Sequence, residues 1–244
     1  MDRKHSASKP PAADVRGVAL LLDFGGTLDG DGIHWSPRFH EAYAATGGTT
    51  PFEAFDHAFR LALRSLGEQS DTVGLGFEET VHLLSVGLTA RLADGSAVDL
   101  DTAASRFHAD ACAAVERNRP TLERLSSSHR IALISNFTGN LAVCVRELGV
   151  DHCFEAIVDS GRFGVSKPDA RIFEEGLRRL DARAESTWML GDNPDADILP
   201  ALALGMRACW ISPREREFPG ETSPTARIAR FPEIAGLLEG TSAP

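Results

Sequence analysis

The stretch VALLLDFGGTLDGDG, residues 18–32, opens with an apolar run that ends on a carboxylate. Val18 to Leu22 shows no polar alternation, the pattern of a strand covered on both faces in a parallel sheet. Asp23 closes it, and after Phe24 the chain breaks into Gly25, Gly26 and Thr27. One buried strand has no partner of its own, so its neighbours must come from elsewhere in the chain.

They come from beyond Pro120, where short apolar segments alternate with helical spacing. Strands are expected at RIALIS (130–135), EAIVD (155–159), TWML (187–190) and RACWIS (207–212). Helices are expected between them, at NLAVCVRELG (140–149), DARIFEEGLRRL (169–180) and DADILPALALG (195–205). This alternation predicts an α/β fold, a doubly wound, Rossmann-like parallel sheet whose right-handed crossovers place helices on both faces. Between strand 18–24 and these elements the spacing is helical throughout, at 36–48, 51–68, 77–93 and 99–118. The chain therefore divides into a core, residues 15–34 and 119–244, and an all-helical unit, residues 35–118, about the size of a small domain. The polar, Pro- and Ala-rich residues 1–14 are expected to be a disordered tail.

With 244 residues, 43% of them hydrophobic, the chain can bury a sizeable core. A formal net charge of −10 argues against nucleic acid and anionic membrane as partners, since both need a basic face. No segment approaches the ~20 apolar residues that cross a bilayer. Cys112, Cys144, Cys153 and Cys209 lack metal-binding spacing and read as buried thiols in a reducing, cytoplasmic setting. A monomer or homodimer is expected.

Ligands of doubly wound sheets bind beyond the carboxyl ends of the strands, near the switch in strand order. Those ends collect Asp23 and Thr27, Ser135 and Asn136, Lys167 before a helix, and Asp192 followed by Asp197. Three carboxylates suit a hard divalent cation such as Mg2+, and a lysine with two hydroxyls suits the phosphoryl group beside it. Lys167 is the only lysine after Lys9 in a chain otherwise supplied with arginine.

The four segments LLLDFGGTL (20–28), ALISN (132–136), SKPDARIF (166–173) and LGDNPDADI (190–198), in this order, resemble the signatures of the haloacid dehalogenase (HAD) superfamily. The helical unit is similar to the cap that one large branch of that superfamily inserts after the first strand. The resemblance implies Asp23 as the nucleophile that becomes aspartyl-phosphate. It also implies Gly26, Thr27, Ser135, Asn136 and Lys167 around the phosphoryl group of a small phosphorylated metabolite. Mg2+ would be held by Asp23, the Gly25 carbonyl and Asp192, with Asp197 orienting its water.

The chain departs from the phosphatase pattern at Gly25, where the second aspartate of motif I protonates the leaving alkoxide and then activates water. A positioned acid or base is worth ~10²–10⁴-fold. Its loss predicts a hydrolase that is slow or confined to good leaving groups such as acyl phosphates. The alternatives are a degenerate protein that binds phosphorylated ligands without turnover, and a haloacid dehalogenase, which needs neither acid nor metal. Asp29, Asp31 and His34 are candidates to replace the acid, although DGDG (29–32) is also hairpin-turn chemistry. Candidate cap contacts are His34, Trp35, Arg38, His40, Arg60, Arg64 and His82, whereas Phe39, Phe52, Phe55, Phe59 and Leu63 fit helix-packing spacing.

Overall fold

In the computed structural model the described residues are 18–240, apart from Gln69 and Ser96. The expected tail, 1–14, lies outside them. Strand β1 (Ala19–Leu22) leads into four helices, α1 (Trp35–Ala44), α2 (Phe52–Gly67), α3 (Phe77–Thr89) and α4 (Leu100–Ser128). There follow β2 (Arg130–Ser135), α5 (Leu141–Glu147), β3 (Ala156–Asp159), α6 (Ser160–Phe163) and α7 (Ala170–Arg179). The chain ends with β4 (Thr187–Gly191), α8 (Leu199–Ala203), β5 (Arg207–Ile211), β6 (Ala226–Ile228) and α9 (Ile234–Gly240).

The strands form one parallel sheet of order β3-β2-β1-β4-β5-β6. Leu20 stands between Ile131 and Trp188, so β1 is central and paired on both sides. Its alternate residues serve two cores. Leu20 and Leu22 face the layer that continues into the helices after β1, and Ala19 and Leu21 pack with Ile134, Phe173 and Met189 on the other face. This double burial is why the run at 18–22 carries no polar alternation. The strand order reverses between β1 and β4, the position at which such sheets open a crevice.

Three features differ from the sequence expectation. Helix α4 runs unbroken through the expected boundary at 118/119, with Pro120 inside it. Asn118, near its middle, donates to the Leu28 carbonyl at 2.9 Å, so the helix is already docked on the β1 loop there. Strand β6 was not foreseen, because three residues at a sheet edge are too short to show a period. Residues 29–34 form no hairpin strands: Asp31 (φ 46°) and Gly32 (φ 89°) make a left-handed bend. Among the described residues no helix is long and apolar enough to cross a membrane. Cys144, Cys153 and Cys209 are buried as expected, but Cys112 is only half-buried.

Within the helical unit, Phe39, Phe55 and Phe59 from α1 and α2 pack with Phe107 of α4, while Phe52 is 43% exposed. Its rim is closed by Asp94, whose carboxylate accepts the Tyr43 hydroxyl at 2.7 Å and both Thr49 groups at 2.9 Å. These bonds, Tyr43's first, hold the Asp94 carboxyl below the usual carboxylate range. Asp94→Asn should therefore lower stability by about 0.5–1 kcal/mol at neutral pH, modestly because the rim is screened by solvent. A depressed carboxyl stabilises above its unfolded pKa, so the gap between wild type and variant in chemical unfolding should be full above pH 3.8 and shrink only below it. A gap independent of pH would assign the loss to packing.

Candidate active site

The crevice beside β1 collects side chains from four strand ends. Asp23 follows β1 and donates its backbone N–H to the Leu190 carbonyl at 3.0 Å, which fixes it between β1 and β4. Its Oδ1 accepts from Ser135 Oγ at 3.0 Å and Lys167 Nζ at 2.6 Å, and its Oδ2 from Thr27 Oγ1 at 3.2 Å. Lys167 also donates to Asp197 Oδ1 at 2.6 Å. The lysine is positioned by Asn136, which takes the Lys167 N–H at 2.7 Å and returns a bond to its carbonyl at 2.9 Å. All of Asp23, Thr27, Ser135, Lys167, Asp192 and Asp197 are buried.

Oxygens of Asp23, Asp192 and Asp197 lie within 4.8 Å of one another. Three buried carboxylates thus stand beside one ammonium group, which binds two of them directly. Burial, reinforced by Asp23 and Asp197, pushes the Asp192 carboxyl well above its ordinary value. Burial likewise pushes Asp197 up to about 6 against the pull of Lys167. An all-oxygen donor set with surplus negative charge fits a hard divalent cation. Asp197 is held for this by the turn after β4, where Asn193 caps Asp195 N and Ala196 N at 3.0 and 3.1 Å and gives its own N–H to Asp197 Oδ2 at 3.0 Å.

A cavity opens over this cluster, lined by Asp23, Gly25, Ser135, Asn136, Lys167, Asp192 and Asp197, with His34, Trp35, Leu63 and Phe137 as further lining. Two expected phosphate contacts are placed differently. The Gly26 N–H donates to Asp29 Oδ1 at 2.6 Å, and Gly26 does not line the cavity. Thr27 lies beneath Asp23, fully buried, where it orients the carboxylate, with a longer 3.5 Å contact to Asp192. The reason is the bend at Gly26 (φ 86°), which turns the loop back toward Asp29.

Neither aspartate of DGDG faces the cavity. Asp29 is buried, with Oδ1 on Gly26 N and Oδ2 accepting Trp35 Nε1 at 2.7 Å, and Arg38 lies 3.4 Å away. Burial pushes its carboxyl up, and Arg38 is the strongest opposing influence. Asp31 accepts from Asn118 at 3.2 Å, from the Phe231 N–H at 3.0 Å and from Arg117 at 2.8 Å, so it ties α4 and the C-terminal segment to the loop. Of the polar cap candidates, His34 and Trp35 line the cavity. Arg38 is engaged by Asp110, His40 by the Thr50 carbonyl, Arg60 by Asp56 and His82 by Asp101.

Gly25 has φ −74° and ψ 116°, a conformation open to any residue. A Cβ placed there would come within 3.1 Å of Trp35 Nε1. The indole therefore occupies the space beside the missing carboxylate. It is caged by Phe77, Phe107 and Phe137 at centroid distances of 5.7, 5.4 and 5.6 Å. Leu63, which fits helix packing in the sequence, packs against the core and also lines the cavity, and Phe137 and Asn193 were not foreseen as site residues. Asn193 carried a signal: Asn before Pro-Asp is N-cap chemistry.

Residues 18–205 match the model of the haloacid dehalogenase-like hydrolase family. The GMP/IMP nucleotidase YrfG of Escherichia coli is 26% identical over 216 residues, 86% of this chain and 85% of that protein. In curated phosphatases and a pyrimidine nucleotidase the match spans only 25% to 58% of their length. Among solved structures, the magnesium-bound HAD-hydrolase YfnB of Bacillus subtilis has a TM-score of 0.59 at 20% identity, covering 91% of this chain and 99% of that one. A dehalogenase with an intermediate complex has a TM-score of 0.62 at 20% identity, covering 91% and 97%. At such identities the two structures speak for the fold alone. The matched segment takes in β1 through α8 and every carboxylate of the cluster, and on it the chain belongs to the haloacid dehalogenase-like hydrolase family.

Proposed function

We propose that this chain is a Mg2+-dependent phosphohydrolase acting on a small phosphorylated metabolite through an aspartyl-phosphate on Asp23, restricted to leaving groups that need no proton. The observation that carries this reading is the buried trio of Asp23, Asp192 and Asp197 around Lys167, with an indole where a general acid would begin. YrfG, named for nucleotide hydrolysis, supports a phosphorylated substrate.

Asp23 attacks phosphorus, the new aspartate O–P bond forms, and the bond to the leaving oxygen breaks with its electron pair. Ser135 and Lys167 touch Asp23 and line the cavity, so they can carry the phosphoryl oxygens as charge shifts between the two centres. Asp23, Asp192, Asp197 and the Gly25 carbonyl would hold Mg2+, which when bound offsets the negative charge of carboxylates and phosphoryl group. Water then attacks phosphorus, the aspartate oxygen departs, and the water proton passes to the released phosphate or solvent. Among the described residues the cavity is lined by no carboxylate besides Asp23, Asp192 and Asp197, which favours substrates whose leaving oxygen is a weak base. A haloacid dehalogenase has no use for a divalent cation, and the buried trio weighs against that reading.

Acetyl phosphate and p-nitrophenyl phosphate should turn over in the presence of Mg2+, with simple sugar phosphates slower by about 10²-fold or more. Chelation should abolish all three. Equal rates on all three would overturn the leaving-group restriction, and turnover of 2-haloacids without metal would overturn the phosphohydrolase.

A further inference from the structure

Asp29 and Asp31 are engaged away from the cavity, Lys167 is held between Asp23 and Asp197, Asp192 belongs to the carboxylate cluster, and the Trp35 N–H is given to Asp29. His34 remains. It lines the cavity, is exposed at its mouth, and its Cα lies 3.0 Å from a Cβ placed on Gly26, so it adjoins the loop that lacks the acid. It is also the N-cap of α1: its Nδ1 accepts the Ser36 N–H at 3.4 Å. A nitrogen that accepts carries no proton, so the single proton of the neutral ring sits on Nε2.

We infer that His34 is a catalytic residue of a kind different from the acid it adjoins: a neutral imidazole whose Nε2–H donates a hydrogen bond to the leaving-group oxygen. No proton is transferred. The donor stabilises the charge that develops as the O–P bond breaks, the work of an oxyanion-hole group. A doubly protonated ring would turn an Nδ1–H against the Ser36 N–H and face the positive end of α1, a ten-residue helix. The charged groups around the ring are Asp23, Asp56, Lys167 and Arg38, of both signs. The walls crowd the ring although its edge reaches solvent, and this loss of hydration keeps it below the ordinary histidine pKa against the pull of Asp23. Such a residue assists departure without supplying a base for the water step, which confines the enzyme to good leaving groups and lets phosphorylated Asp23 accumulate.

The inference rests on the phosphohydrolase reading, and the test separates the two. His34→Ala, His34→Asn and His34→Gln are compared on acetyl, p-nitrophenyl and phenyl phosphate with Mg2+, together with Tm. Asparagine keeps the N-cap and loses the reach, while glutamine keeps an N–H at similar reach and is a poor cap. Activity on phenyl phosphate should fall about 10²-fold in the Ala and Asn variants and stay within a few-fold in Gln, with little change on acetyl phosphate. The Tm order should differ, with Asn at or above wild type and Gln and Ala below it. Nitrogen NMR at pH 7 should find His34 neutral with the proton on Nε2. Equal losses on all three substrates, a Gln variant as poor as Ala, or a doubly protonated ring would overturn the role of His34 and leave the phosphohydrolase standing. A wild type inert on all three would remove both.

Discussion

Asp23→Asn should abolish turnover of every phosphorylated substrate, a loss of about 10⁴-fold or more, as removal of a nucleophile does elsewhere. The fold should survive. Asparagine can accept the Ser135 bond on its oxygen and donate from its NH2 to the Thr27 hydroxyl, and losing one of three crowded carboxylates relieves repulsion with Asp192 and Asp197. Without Mg2+ the variant's Tm should match or exceed that of wild type, and the Tm gain on adding Mg2+ should be smaller, because one ligand is gone. Rates within tenfold of wild type would remove Asp23 from the chemistry.

Lys167→Met is expected to damage both stability and activity. Lys167 is buried between Asp23 and Asp197 at 2.6 Å from each, and breaking a buried pair by removing one partner costs about 3–5 kcal/mol. Burial alone would lower its pKa, but Asp197 and Asp23 outweigh that and hold it above the ordinary 10.5. A raised lysine pKa means the stabilisation is complete below 10.5 and is lost only as pH rises past that value. Urea unfolding with chelator near pH 8 should therefore record the full deficit. Mg2+ should restore part of the stability, since a cation again stands among the carboxylates, but not the activity. A variant as stable as wild type with chelator would place the three carboxylates in water rather than in a sealed crevice.

What the sequence disclosed follows from which contacts are local. Strand β1 and its carboxylate were legible because burial on both faces leaves an unbroken apolar run, and because strand ends in a doubly wound sheet converge on one crevice. Asp192, Asp197, Ser135, Asn136 and Lys167 were singled out by the same reasoning, and all line the cavity. The fate of Asp29 was not legible. Its burial depends on Trp35 and Arg38, which reach it from α1, a tertiary contact that local sequence does not reveal. Gly26, which the resemblance places at the phosphoryl group, is tied to Asp29 in the same loop. Leu63 obeys the spacing of a packing residue, and nothing in that spacing distinguishes the face of α2 that overhangs a cavity. The expected boundary at 118/119 falls inside α4, because Pro120 reads as a break in the sequence while the helix continues through it, with Asn118 docked on Leu28.

The chemistry assigned to Asp23 is tested most directly by one single-turnover experiment in ¹⁸O-water, with acetyl phosphate, Mg2+ and enzyme in excess. Peptide mapping at early times should find one phosphoryl group on the segment containing Asp23, and at completion the heavy oxygen should be in the released phosphate and absent from Asp23. Heavy oxygen in the Asp23 carboxylate, the mark of water attacking an acyl carbon as in dehalogenation, or phosphate released with no modified Asp23 at any time, would contradict it.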